Sequence, residues 1–150
     1  MSGEINSPGS RSGIVGTTEL DYETGTWTPQ FRGSLGTVNS TTTVNNANYT
    51  KIGNIVHYWC YVAWTAQGTS SGNAQLHGFP FTALDQCSFG SVPFVCNVNF
   101  LGGTNLGGYL GGTSINFREI NDDGDCVSLA ISAFDNTSNQ IMIQGSYRVS

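Results

Sequence analysis

Short runs of apolar and β-branched residues recur along residues 22–150, and the segments between them are rich in Gly, Asn, Ser and Asp. Runs of about four to eight such residues, bounded by turn-forming residues, are typical of β-strands. No helical periodicity separates them. The pattern predicts an all-β fold: an antiparallel, jelly-roll-like β-sandwich of about eight strands. The predicted strands are 26–31, 37–44, 49–65, 74–79, 88–100, 114–119, 126–134 and 140–149.

The composition agrees with this fold class. Charged residues make up 10% of the chain, whereas an average domain has about 25%. Helix-rich surfaces need Glu, Lys, Arg and Ala, but this chain uses 20 glycines and many Ser, Thr and Asn residues. Turn signals occur at 32–33, 45–46, 68–72 and 122–124. Pro80 and Pro93 lie in or beside apolar runs, so we expect their strands to lie at a sheet edge or to begin there.

Residues 1–21 differ from the rest because they are mostly polar and contain few, scattered apolar side chains. We predict two parts, an extended N-terminal arm (1–21) and a β-sandwich domain (22–150). A polar arm buries too little surface to become ordered alone, so it is either mobile or bound along a partner. The chain shows neither a secretory signal nor a membrane span, and we expect cytoplasmic assembly without a membrane partner. The candidate binding residues of the arm are Ile5, Pro8, Arg11, Ile14 and Val15.

The segment 55–64 is the most informative predicted strand, because period-two alternation leaves both of its faces largely apolar. A surface strand of a monomeric sandwich has one polar face. We therefore expect the second face to meet another subunit in a closed homo-oligomer, the alternative being a strand buried on both sides within one chain. The candidate residues for this oligomer or core strand are Ile55, His57, Trp59, Tyr61 and Trp64.

Three Gly pairs, at 102–103, 107–108 and 111–112, form a small local repeat. A phosphate-binding loop would need a following helix and usually a basic residue, and neither is present there. The repeat predicts a flexible or tightly turning contact loop, the alternative being an ordinary surface loop. The candidate contact residues of this loop are Leu106, Tyr109 and Leu110.

The chain offers no pattern typical of catalysis, and we expect it not to be an enzyme. It has no G-x-S-x-G motif, and its cysteines carry no catalytic signature. Glu119 and Asp85 would form a glycosidase pair only if folding held their carboxyl groups about 5–10 Å apart. The four cysteines lack zinc-ligand spacing and are expected to be buried thiols, and residues 121–125 fit a tight turn better than a calcium loop. We therefore expect no cofactor and no metal site.

The charge balance argues against nucleic acid as a partner. Five basic residues are scattered along a chain with ten acidic ones, which cannot form the positive stripe that phosphate binding requires. The three tryptophans and six tyrosines could stack against sugars, but aromatic residues on strands are more often part of the core.

Four short motifs occur in order: YETGTWTP at 22–29, NYTKIGNIV at 48–56, LHGFPF at 76–81 and IQGSY at 143–147. Together they resemble the β-sandwich head modules of tailed-bacteriophage virion proteins, in which E-x-G-T-W-T-P, Y-T-K-I-G-N-x-V, G-[LF]-P-F and G-[ST]-Y follow one another. The resemblance covers residues 22–148. It implies a jelly-roll-like sandwich that works as a homotrimer on the exterior of the virion.

The resemblance implies two possible roles. Head modules of tail fibres usually follow a shaft, whereas only a short arm precedes residue 22 here. We therefore expect a capsid decoration (cement) protein, which binds the major capsid protein in the assembled shell and stabilises the shell by preferential binding. The alternative is a tail-fibre head that binds a bacterial surface glycan or protein as its receptor.

Overall fold

The computed structural model describes residues 21–36, 42–66, 68–86, 90–103, 105–121, 124–134 and 138–150. These residues form ten β-strands and one 3₁₀ turn, Ile131–Ala133, which confirms the all-β prediction. The five candidate residues of the arm, from Ile5 to Val15, lie outside the described part of the chain. The strands are β1 (Tyr22–Thr26), β2 (Gln30–Leu35), β3 (Thr42–Ile52), β4 (Ile55–Trp64), β5 (Ser71–His77), β6 (Ser91–Cys96), β7 (Asn105–Gly111), β8 (Ser114–Ile120), β9 (Cys126–Ser128) and β10 (Asn139–Arg148).

The strands form two antiparallel sheets that pack face to face. Sheet A has the order β1-β3-β4-β10-β6, and sheet B has the order β2-β5-β8-β7, with β9 paired to β8. Sequence neighbours such as β1 and β2 lie in different sheets, so the chain passes repeatedly from one sheet to the other. The arrangement is a β-sandwich, as predicted.

The inner face of β4 forms the centre of the core. Its five side chains, Val56, Tyr58, Cys60, Val62 and Trp64, are all buried. β3 and β10 pair with β4 along its length, so the strand has no free edge over that length. Because successive side chains alternate in direction, this buried row leaves the other five side chains of β4 on the outer face of sheet A.

Tyr58 lies in an aromatic cluster at one end of the core. The ring of Phe79 lies 4.5 Å from that of Trp27 and 4.9 Å from that of Tyr58, between ring centroids. Tyr147 is 5.8 Å from Phe79, and its hydroxyl donates a hydrogen bond to the carbonyl oxygen of Phe81 at 3.2 Å. Edge-to-face and tilted rings at these distances add to the stabilisation from burial.

Tyr49, on β3, connects the β1–β3 pair to Phe81 next to this aromatic cluster. Its ring lies 5.3 Å from that of Phe81, and its hydroxyl donates to the Glu23 carboxylate at 2.5 Å. Gly25 is the register partner of Tyr49, and a Cβ at Gly25 would lie 2.7 Å from the Tyr49 hydroxyl oxygen. Glycine therefore leaves room for the tyrosine ring across the strand.

A second aromatic cluster joins the sheets at the other end of β4. Phe31 stacks on Trp64 with 3.8 Å between ring centroids. Phe134 is 4.7 Å from Phe31 and 5.5 Å from Trp64, and Phe117 completes the group at 6.0 Å from Phe31. Trp64 is six residues beyond Tyr58, or about 20 Å along the strand. One strand therefore connects both clusters.

Two predicted elements at the N-terminal side of β4 differ from the observed ones. The run 49–65, predicted as one strand, is a hairpin: β3 ends at Ile52, Gly53 turns with φ 58°, and β4 follows. A glycine fits this left-handed conformation without steric cost. Asn45 and Asn46, predicted as a turn, lie inside β3, where the register with β4 shifts between Val44 and Asn46. A bulge accommodates the extra residue.

The prediction that the Gly-rich segment 102–112 forms a loop is wrong, because most of this segment is strand β7. This strand pairs with β8 from one end to the other. Leu110 is buried and Leu106 packs against the core, whereas Tyr109 lies on the outer face of sheet B. A Cβ at Gly108 would lie 2.6 Å from the Asn116 carbonyl oxygen, so this glycine permits close approach of the two strands rather than a loop.

The proline prediction is confirmed for Pro93, which lies in β6 at the edge of sheet A. The expectation of buried thiols holds for Cys60 alone among the described cysteines, and burial raises the pKa of its thiol to about 12. Cys96 is half-buried and Cys126 is exposed, because both lie on edge strands rather than at the centre of a sheet. Cys87 lies outside the described residues.

We predict that Gly25→Ala destabilises the domain by about 1–3 kcal/mol, because the new Cβ must displace the Tyr49 ring from its place over β1. Urea unfolding would measure the change. Gly102→Ala is the matched control, since a Cβ there meets no atom within 4 Å, and it should change the free energy of unfolding by less than about 0.5 kcal/mol. Equal effects of the two substitutions would contradict this account of the β1–β3 pairing.

Candidate functional site: the two outer faces of the sandwich

The outer face of sheet A is unusually apolar for a surface. In the described part of the chain, half of the large hydrophobic residues that are exposed lie on this face. Soluble monomers seldom expose contiguous apolar patches without a binding role. The five residues, which the register of the sheet places on the same face, are Tyr22, Ile52, Trp59, Phe94 and Met142.

The centre of this face is a contiguous patch on three strands, which we call the apolar patch and define as Trp59, Tyr61, Pro93, Phe94 and Met142. Tyr61, Met142 and Phe94 stand side by side across β4, β10 and β6. A depression of about 200 Å³ lies beside them, and its lining includes Trp59, Tyr61, Pro93 and Met142. The patch thus combines flat apolar side chains with a shallow recess.

The residues predicted for an oligomer or core strand divide between the two faces of β4. Ile55, His57, Trp59 and Tyr61 lie on the outer face, whereas Trp64 lies on the inner face and is buried in the core. Trp59 keeps 42% of its surface exposed. The described residues of the chain therefore do not bury the second face of β4.

Towards the other end of β4, the same face becomes polar. A broad depression of about 620 Å³ is lined by His57, Trp59, Ser91, Gln144 and Ser146. The indole of Trp59 therefore stands at the border between the apolar patch and a region of hydrogen-bonding side chains.

The outer face of sheet B is entirely different, because a hydrogen-bonded row of polar side chains crosses three of its strands. We call this the polar row: Arg32, His77, Gln75 and Asn116. An Nη of Arg32 lies 3.0 Å from Nδ1 of His77, and Nε2 of His77 lies 2.8 Å from the Gln75 side-chain oxygen. The Gln75 amide donates to Asn116 Oδ1 at 2.6 Å.

The direction of each hydrogen bond in the polar row follows from Arg32. A guanidinium can only donate, so Nδ1 of His77 accepts and Nε2 carries the proton that is donated to Gln75. Partial burial and, second, the charge of Arg32 lower the pKa of His77 to about 4. His77 is therefore a neutral connector at pH 7 and holds the row in one arrangement.

The outer face of sheet B also carries two arginines, Arg32 and Arg118, that form no ion pair with a carboxylate of the described residues. The described ion pairs join Lys51 to Asp21 and Arg148 to Asp85, and neither includes Arg32 or Arg118. The Arg118 guanidinium instead lies 5.6 Å from the centre of the Tyr109 ring, a cation–π contact.

Glu119 and Asp85, the two carboxylates considered above for glycoside hydrolysis, make different contacts in the folded chain. Glu119 is only 1% exposed, and its carboxylate accepts hydrogen bonds from the backbone N–H groups of Leu101, Gly102 and Gly103. Burial acts to raise the pKa of Glu119, but these three hydrogen bonds outweigh it and lower the pKa. The carboxylate thus fastens the 101–103 segment to β8, while Asp85 is exposed beside Arg148.

The acidic turn at 121–125 shows turn geometry at its described ends. The Asn121 N–H donates to the Asp125 carbonyl, and the Gly124 N–H to that of Asn121; Asp122 and Asp123 lie outside the described residues. No group of three or more His, Cys, Asp or Glu side chains within the described ranges is arranged to hold a metal ion. Nor does any helix there have the length and hydropathy needed to cross a membrane.

Comparison with solved structures shows that the fold is similar to part of a tailspike protein. No protein family and no curated protein matches the chain. The crystal structure of the Dettilon tailspike protein aligns with a TM-score of 0.64 and 16% identity, over 85% of this chain and 24% of that one. The chain thus spans about a quarter of the length of that tailspike. At this identity the similarity establishes a shared β-sandwich fold.

We predict that His77 makes the stability of the domain depend on pH. The pKa of His77 is lower in the folded chain than its ordinary value of 6.5, so the unfolded chain binds more protons and stability falls as the pH drops from about 6.5 towards 4. After screening by solvent, this loss should be about 1 kcal/mol. Guanidinium unfolding at pH 7 and pH 5 would measure it.

In this comparison His77→Gln should weaken the pH dependence of unfolding. His57→Gln is the matched control, because it removes the other histidine of the chain, which is exposed on sheet A, and it should keep the wild-type dependence. A wild-type dependence in His77→Gln would contradict the role assigned to the polar row.

Proposed function

We propose that this chain is a structural module of the exterior of a bacteriophage virion, that it assembles into a homotrimer through the outer face of sheet A, and that it binds a receptor on the bacterial surface. The observation that carries this proposal is the contrast between the two outer faces. Sheet A presents the apolar patch, and sheet B presents the polar row. One face fits self-association, and the opposite face fits recognition.

The apolar patch supports the oligomer. Exposed aromatic and aliphatic side chains gain free energy when another surface covers them. In a closed trimer, the faces that surround the three-fold axis are covered by the two neighbouring copies. Three copies, rather than two, is the number that the resemblance to phage head modules implies.

The tail role is supported by two further points. The tailspike domain that shares this fold belongs to a phage protein of the tail. The polar row lies on the sheet opposite the apolar patch, so trimerisation through sheet A leaves it accessible. The capsid decoration role expected above is the alternative, and it assigns the binding of the shell to the arm, residues 1–21. Receptor binding is therefore the role that we propose, with the major capsid protein as the competing partner.

We propose binding without catalysis or a cofactor. The buried carboxylate of Glu119 is engaged by three backbone N–H groups, which favours the ionised form and removes it from general acid chemistry. The histidine of the polar row has both ring nitrogens in hydrogen bonds. Both groups therefore act as structural elements of the binding surface in this proposal.

The double variant Trp59→Ser/Phe94→Ser should convert the homotrimer to monomers, because it removes the two exposed aromatic rings of the apolar patch. Sedimentation velocity would give the mass of each species. Leu101→Ser is the matched control, since Leu101 is 84% exposed but lies outside sheet A; this variant should remain trimeric. A wild-type chain that is monomeric at all concentrations would contradict the oligomer.

Gold-labelled antibody against this chain should bind at the tail of intact particles in electron micrographs. Labelling that is spread over the head would contradict receptor binding and would favour capsid decoration. An antibody against a major capsid protein provides the control for access to the head.

A further inference from the structure

We propose that the outer face of sheet B binds a saccharide that carries carboxylate groups, with Arg32, Asn116 and Arg118 as its main contacts. The inference rests on the proposed receptor-binding function and adds the chemical class of the ligand and its place on the molecule. None of these three residues was a candidate in the sequence, because they come from β2 and β8 and meet only in the folded sheet.

The charges on this face support an anionic ligand. The chain has a net charge of −5, yet Arg32 and Arg118 both project from sheet B and neither takes part in the described ion pairs. Both arginines are only partly buried, which leaves room for an anionic group to approach them from solvent.

The hydrogen-bond pattern of the polar row supports a ligand rich in acceptors. The row begins at a guanidinium, and each member accepts from the one before it and donates to the next. Asn116 is the last member, so its oxygen is occupied and its amide N–H groups are left to donate. Because Arg32 and Asn116 are already held in place, binding would cost little side-chain entropy.

The spacing of the two arginines supports a saccharide over a small inorganic anion. Arg32 and Asn116 are joined in register through Gln75, and Arg118 is two residues further along β8. Two strand spacings and two residues correspond to about 12 Å between the Cα atoms of Arg32 and Arg118. The Arg32 guanidinium is held on His77, which lies on the side of Arg32 away from Arg118. A short acidic oligosaccharide therefore spans the two guanidinium groups better than a single phosphate does. The Tyr109 ring beside Arg118 adds an apolar surface for a sugar ring.

The test is a calorimetric titration of the full chain with trigalacturonic acid, with maltotriose as a neutral sugar and inorganic phosphate as a small anion. Trigalacturonic acid should bind at least about tenfold more tightly than either. Arg118→Gln should weaken its binding by about tenfold or more. Lys51→Gln is the matched control, because it removes the same charge from sheet A, where Lys51 pairs with Asp21; its affinity should be within about twofold of wild type.

Three results would overturn the inference. They are absence of trigalacturonic acid binding, equal binding of maltotriose or phosphate, and equal losses in Arg118→Gln and Lys51→Gln. Arg118→Lys, which keeps the charge but not the planar donor group, should recover part of the affinity, and sedimentation velocity would confirm that every variant keeps the wild-type assembly. Saccharide binding by a chain that labels the phage head would support this site and refute the receptor-binding role, whereas tail labelling without saccharide binding would refute this inference alone.

Discussion

The contacts that the inner face of β4 makes with the opposite sheet hold the sandwich together. Tyr58 and Trp64 lie about 20 Å apart on that face, and each is part of an aromatic cluster. Trp64 stacks on Phe31 of sheet B. Tyr58 contacts Phe79, which lies two residues after the end of β5 in sheet B. The sheets are thus fixed to each other at both ends of a single strand.

This arrangement has a direct consequence for function. Because β4 commits alternate side chains to the core, the remaining ones must face outward, and on β4 they include Trp59 and Tyr61. The outer face of sheet A therefore carries exposed aromatic side chains, which other copies of the chain cover in the proposed trimer. On sheet B the corresponding outward positions carry Arg32, Gln75 and Asn116, which bind each other through His77 or directly. The two faces therefore differ in chemical character, and the proposed function rests on this contrast.

The four motifs that resemble phage head modules owe their spacing to packing. Trp27, Phe79 and Tyr147 come from three of the motifs and meet around Tyr58. Tyr49, from the remaining motif, packs its ring against Phe81, and Gly25 leaves space for that ring. These residues report the fold, and none of them lies in the polar row. The motifs therefore indicate the fold. Of the polar row only His77 lies in a motif, and the three contacts proposed for a saccharide lie outside all four motifs.

The sequence by itself determined the all-β class, the edge position of Pro93 and the alternation of β4, because these depend on local residue preferences and a period of two. It could not separate β3 from β4 within one apolar run, since a single Gly53 with positive φ makes the turn. It also could not show that the Gly pairs around Tyr109 form a strand, because the close approach of β7 to β8 depends on a partner strand. The polar row was decided only by the tertiary structure: its members come from β2, β5 and β8, and hydrogen bonds between side chains so far apart in the chain exist only once the strands are in register.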